Sequence, residues 1–162
     1  MTEKLTQKLE VVPRNLLSLE YELQDNCVSV GSIMRTPLEL LKKGTVRTED
    51  REYAIFRESV TRANFLLRGA DGTVRARAEK KGPTGAAYRI LFDGSDLLLK
   101  KKVLAGRETY LITDASAPIG SIVRESLDSR RMTVELTEGA SGTPRDIILF
   151  MVWVVLLIHG RD

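Results

Sequence analysis

Along much of this chain apolar and polar residues alternate with a period of two. Val74, Ala76 and Ala78 alternate with Arg75, Arg77 and Glu79, and Met132, Val134 and Leu136 alternate with Thr133 and Glu135. Successive strand side chains point to opposite faces, so each run predicts a strand with one dry and one wet face. Asp71-Gly72, Asp93-Gly94 and Asp114-Ala115 punctuate the runs at nearly equal intervals. The first two suit the positive φ angles of tight hairpin turns. Residues 65–76, 89–99 and 110–122 thus superpose as strand, turn, strand. Successive hairpins make a meander, and a meander with a dry inner face must close into a barrel or pack on another sheet.

The pattern changes at the end of the chain, where every residue from Ile147 to Ile158 is apolar. That run is longer than a usual buried strand, and its punctuation is helical. Thr143 is placed to cap, Pro144 suits the first turn, Asp146 sits where a capping acid would, and Gly160 suits the exit. A helix over about 144–159 is predicted. Its apolar part spans roughly 18 Å at 1.5 Å per residue, against a bilayer core of about 30 Å, so a core helix is favoured over a membrane anchor. A helix apolar all round must be surrounded all round. Ile147, Ile148, Phe150, Met151, Trp153, Val154 and Leu157 are therefore expected to fill the barrel, which disfavours a hollow ligand carrier.

Two weaker signals remain. Thr36-Pro37-Leu38-Glu39 repeats the cap, proline and acid pattern, and Gly44 follows Lys42-Lys43, which predicts a helix of about seven residues. Residues 1–18 hold Leu5, Leu9 and Val12 before Pro13 and are expected to be loosely ordered, leaving residues 19–162 as the barrel domain.

Composition narrows the class. The 162 residues, 43% hydrophobic and 29% charged, describe one ordinary folded domain. A net charge of +3 from 25 basic and 22 acidic residues is far below the footprint of a nucleic-acid binder, so no nucleic acid is expected. The single Cys27 cannot form an internal disulfide and is expected to be a buried, inert thiol. The polar N-terminus lacks a signal-peptide centre, which makes a cytoplasmic location, peripheral to a membrane at most, the expectation.

The hairpin chain with Asp-Gly turns, the segment YLITDASAPIGSIVRE at 110–125 and the final hydrophobic helix together resemble the tubby-like superfamily, over roughly residues 50–159. That superfamily includes tubby C-terminal domains, phospholipid scramblases and LURP-one-related proteins. The likeness is greatest to the last two, where D-x-x-x-x-I-G-x-I recurs; Asp114, Ile119, Gly120 and Ile122 match it. The resemblance implies a mainly β fold in which a closed antiparallel barrel of about twelve strands wraps its own C-terminal helix. It also implies an acidic lipid headgroup as partner, since tubby domains bind phosphoinositides through basic side chains. Neither their phosphate-binding lysines nor a scramblase-like acidic calcium segment maps onto positions here, and LURP-one-related proteins carry no established reaction.

Candidate chemistry is sparse. Lysines cluster at Lys42-Lys43, at Lys80-Lys81 and at Lys100-Lys101-Lys102. The triple lysine breaks the inner pattern of a strand, which places it at a rim. Lys80, Lys81, Lys100, Lys101 and Lys102 are the candidate contacts for an anionic headgroup, at about 1 kcal/mol each near acidic lipid. The competing reading is a solvated face that protects a strand edge. His159, the single histidine, follows the apolar run and suits the negative end of the helix dipole. Asp93 and Asp96 read as turn residues and Trp153 as core filling. No cluster has metal-ligand spacing and no Gly-rich phosphate loop precedes a helix, so no cofactor and no catalysis are expected. Three functions follow: a lipid-headgroup binding module, a protein–protein scaffold, and a scramblase-like protein anchored by residues 147–158.

Overall fold

The computed structural model describes residues 5–14, 19–36, 42–59, 61, 63–82, 87–104, 107–115, 117–125, 130–140 and 142–159. The strands are β1 (Leu5–Pro13), β2 (Glu20–Asp25), β3 (Val28–Arg35), β4 (Lys42–Thr48), β5 (Glu52–Arg57), β6 (Phe65–Gly69), β7 (Val74–Lys80), β8 (Ala87–Phe92), β9 (Ser95–Leu104), β10 (Arg107–Asp114), β11 (Ala117–Arg124) and β12 (Met132–Thr137). A 3-10 turn at Glu138–Ala140 leads to the helix α1 (Arg145–His159). Each strand pairs antiparallel with its sequence neighbours, and β1 pairs β12, so the meander closes into a twelve-stranded barrel. Closure removes every unpaired edge, the usual liability of an all-β sheet.

The three hairpins expected from the aspartate punctuation are β6–β7, β8–β9 and β10–β11. Asp93 and Gly94 adopt φ of 46° and 76°, the pair of positive angles a two-residue type I′ turn requires. Asn26 and Cys27 do the same at 50° and 66° between β2 and β3. That hairpin repeats the β10–β11 hairpin residue for residue: Tyr21, Asp25, Gly31-Ser32-Ile33 and Arg35 correspond to Tyr110, Asp114, Gly120-Ser121-Ile122 and Arg124. Even the ladder irregularity recurs, at Leu23/Gln24 and at Ile112/Thr113. A side chain is excluded at both glycines: a Cβ at Gly31 would lie 2.9 Å from the Arg47 carbonyl oxygen, and one at Gly120 would lie 2.7 Å from that of Glu135.

The helix occupies the inside. Every residue from Asp146 to Leu156, and Ile158, is buried, while Leu157 is half-buried against the core. Among the described residues no helix is long and apolar enough to cross a membrane. The inward faces of the strands meet the helix with Leu9, Leu23, Ile33, Val46, Ile55, Leu67, Tyr88, Ile90, Leu99, Tyr110, Ile112 and Val134, all fully buried. Small inward residues, Gly31 and Gly44, let α1 lie close to β3 and β4. A Cβ on Gly31 would be 2.6 Å from Cδ1 of Leu149, and one on Gly44 would be 2.8 Å from Nε1 of Trp153. Trp153 also meets Phe65 edge-on, with ring centroids 4.8 Å apart.

Several expectations are corrected. Leu5–Pro13, expected to be loose, is the strand that closes the barrel against β12 and β2, because the ladder needs a partner for both edges. Lys42, Lys43 and Gly44 open β4 instead of ending a helix, since their backbones complete the ladder with β3 and β5; positions 37–41 of that expected helix lie outside the described residues. Cys27 is exposed, because a turn residue at positive φ points away from the core. Asp96 belongs to β9, not to a turn, and pairs with Arg89. Thr143 donates its hydroxyl to the Ala140 carbonyl at 2.7 Å, and the first helical amides turn to the Pro144 carbonyl instead.

Candidate functional site

In an up-and-down barrel, alternate connections gather at opposite ends. At the leading end, where α1 begins, lie the turns after β2, β4, β6, β8 and β10; at the trailing end, where α1 stops, lie the connections after β1, β3, β5, β7, β9 and β11. This parity sorts the charge. The trailing end receives Arg14, Arg35, Lys42, Lys43, Arg57, Lys80, Lys81, Lys100, Lys101, Lys102, Arg107, Arg124, Arg130 and Arg131, against the smaller set Glu20, Glu58, Glu79, Glu108 and Glu125. The leading end receives Asp25, Glu49, Asp50, Glu52, Asp71, Asp93, Asp96, Asp114, Glu138 and Asp146 against Arg47, Arg51, Arg68, Arg75 and Arg145. Among the described residues the barrel thus has one basic and one acidic end.

All five candidate lysines fall at the trailing end. Lys100 and Lys102 point outward and are exposed, as is Lys81, while Lys80 is half-buried. Lys101 takes the opposite face, in register with buried Tyr110, and reaches into the mouth. It lies 3.4 Å from Oε1 of Glu108. The strand does not stop at the triple lysine but runs on to Leu104, so the sequence break marks the mouth and not the strand end.

Around the mouth, Glu108 is the hub of a half-buried cluster. Its Oε2 lies 3.4 Å from Arg124 and 3.4 Å from Nδ1 of His159, and Arg124 lies 3.2 Å from the same Nδ1. One carboxylate therefore serves three basic groups at the C-terminus of α1, where cations also complement the helix dipole. Other carboxylates are engaged along the outer wall. Glu58 pairs with Arg77 at 2.8 Å, Arg77 with Glu79 at 3.3 Å, and Arg89 with both Glu79 and Asp96. Arg89 holds the Asp96 carboxyl below the usual carboxylate range, and its own guanidinium titrates higher in return. With those carboxylates engaged, Lys42, Lys80, Lys100, Lys102 and Arg107 have no ion-pair partner among the described residues.

The leading end is organised differently. A groove of about 700 Å³ runs between the turn at Thr48–Arg51, Tyr53 and the start of α1. Arg75 closes its floor: its guanidinium bonds Asp146 and Asp93, each at 2.7 Å. The two carboxylates raise the Arg75 pKa even though burial opposes it. Arg145 reaches Asp25 at 3.3 Å and ties the helix start to the β2–β3 hairpin. These contacts neutralise one another and serve to fix the helix. Among the described residues no three His, Cys, Asp or Glu side chains are grouped so as to hold a metal ion.

No protein-family model, no curated protein and no solved structure matches this chain. Residue chemistry alone therefore has to point to the site. The sequence reading missed Arg35, Arg57, Arg107 and Arg124, which the barrel brings to the same end as the lysines. The signal was present in strand direction: each of them ends an odd-numbered strand or begins an even-numbered one.

Proposed function

We propose that this protein is a non-enzymatic binding module of the tubby-like kind that docks end-on, trailing end down, on a surface of acidic phospholipid headgroups. The observation that carries the reading is the set of cations at that end with no ion-pair partner among the described residues: Lys42, Lys80, Lys100, Lys102 and Arg107. Near acidic lipid each basic side chain contributes about 1 kcal/mol, so a handful suffices for reversible attachment. The acidic leading end disfavours the inverted orientation by repulsion. A barrel closed on its own C-terminal helix supports the tubby-like assignment. Because that helix is enclosed, attachment through a basic surface is favoured over anchoring by residues 147–158.

The test is co-sedimentation with vesicles of phosphatidylglycerol and phosphatidylcholine. Binding is expected at low ionic strength and is expected to fade as salt screens the mouth. Lys100→Gln with Lys102→Gln should weaken it about 30-fold, two charges at about 1 kcal/mol each. Arg51→Gln, at the leading end, should not. Failure to sediment at low salt, or equal losses from variants at the two ends, would overturn the reading and leave a protein-binding scaffold as the alternative.

A further inference from the structure

We infer that His159 makes the trailing mouth a pH-responsive anion site, with affinity for an acidic membrane surface rising as the pH falls from 8 to 5; this rests on the headgroup-binding reading above. The geometry is a triangle. Nδ1 of His159 stands 3.2 Å from Nη1 of Arg124 and 3.4 Å from Oε2 of Glu108, and the same two Arg124 and Glu108 atoms are 3.4 Å apart. One ring nitrogen cannot serve both neighbours at once. Unprotonated, Nδ1 accepts a hydrogen bond from Arg124, while Glu108 is left to Arg124 and Lys101. Protonated, it can only donate, so it turns to Glu108 and competes with Arg124 and Lys101 for that carboxylate.

The consequence is a change in both charge and availability. The cluster gains one positive charge, and Arg124 loses an acceptor and part of its share of Glu108. The added positive charge favours an anion at the mouth.

The surroundings single out His159 as the responder. Among the described residues the other charged or titratable groups at this end of the strands beside α1 are Arg35 on β3, Lys42 and Lys43 on β4, and Tyr88 on β8. Around the cluster itself stand Lys101 on β9, Glu108 on β10 and Arg124 on β11. Histidine is the side chain whose ordinary titration falls between pH 5 and 8. His159 is the single histidine of the sequence.

The experiment measures binding of the full chain to phosphatidylglycerol-containing vesicles, whose phosphodiester charge is constant over this range, at pH 7.5 and pH 5.5. One added charge near acidic lipid predicts about fivefold tighter binding at the lower pH. His159→Gln, a neutral side chain that can still accept from Arg124, should bring the ratio of the affinities at pH 5.5 and pH 7.5 to one, whatever the affinity itself. Binding of the unaltered protein that is equal at both pH values, or a pH response that survives in His159→Gln, would overturn this inference and leave the headgroup reading standing. Absence of binding at either pH would overturn the headgroup reading first. The lone histidine also permits a direct NMR titration: its ring signals and the Arg124 Nη signals should shift together with one midpoint. Independent movement would refute the coupling even if a variant folded poorly.

Discussion

Replacing Arg75 by methionine tests how the barrel grips its helix. Arg75 bonds two carboxylates at the same distance, 2.7 Å, but the two lie in different surroundings: Asp146 is 8% exposed and Asp93 is 65% exposed. Removing one partner of a buried pair strands the other and typically costs 3–5 kcal/mol. Asp146 retains the amide of Ile147 at 2.9 Å and sits at the positive end of the helix dipole, which offsets up to about 1 kcal/mol. Arg75→Met should therefore destabilise the fold by about 2–4 kcal/mol, a fall in Tm of about 4–16 °C for a domain of this size. The exposed bond to Asp93 is worth under about 1 kcal/mol, so Asp93→Asn should scarcely register. Urea unfolding followed by the fluorescence of Trp153, the single tryptophan, is the assay. Lowering the pH, which neutralises the stranded carboxylate, should recover part of the loss in Arg75→Met. The double change Arg75→Met with Asp146→Leu should recover most of it, since an apolar pair of similar volume leaves no charge behind. A loss below about 1 kcal/mol for Arg75→Met, or equal losses for Arg75→Met and Asp93→Asn, would refute burial as the source of the difference.

Two further outcomes follow from local geometry. Gly44→Val should destabilise by about 1–3 kcal/mol and shift Trp153 emission, because its Cβ would stand 2.8 Å from the indole Nε1 and 2.8 Å from the Met34 carbonyl oxygen, where backbone cannot yield. Asp96, held low by Arg89, should titrate in an NMR experiment below an ordinary aspartate, and Arg89→Gln should return it to the usual range. A depressed folded pKa means that this contribution to stability is present above the ordinary aspartate range, near pH 4, and is lost as the pH falls through the folded value. The unaltered protein should thus be the more stable of the two at pH 7, by the lost ion pair, and the two acid-unfolding curves should converge as the pH falls through the folded value.

Period-two alternation and an all-apolar tail carried most of the architecture, because both follow from burial. The run 147–158 had to be enclosed, and alternating strands such as 74–80 and 132–137 had a dry face to enclose it with. Where side-chain pattern and backbone demand diverge, the sequence was less legible. Leu5–Pro13 shows little alternation that the eye can follow, yet the ladder requires it to join β12 to β2. Lys42-Lys43-Gly44 imitates a helix terminus in composition, but Gly44 is there because Trp153 needs the space, a demand made from more than a hundred residues away. The β2–β3 hairpin could have been found. Asp25, Val30, Gly31 and Ile33 repeat the spacing of Asp114, Ile119, Gly120 and Ile122, with valine in place of one isoleucine.

The candidate site was only half legible for a related reason. Lysine pairs and triplets stand out because they are contiguous, whereas Arg35, Arg57, Arg107 and Arg124 are solitary and look like ordinary surface charge. What unites them is strand direction. In an antiparallel closed meander, a basic residue at the end of an odd strand and one at the start of the next even strand share a mouth, however far apart they lie around the barrel. The same parity sends Asp71, Asp93 and Asp114, which the hairpin turns require for conformational reasons, to the opposite end. Turn chemistry thus concentrates carboxylates at the leading end. A net charge of only +3 then leaves the cations over-represented where α1 stops, so the polarity of the barrel is in part a by-product of which connections are tight enough to need aspartate.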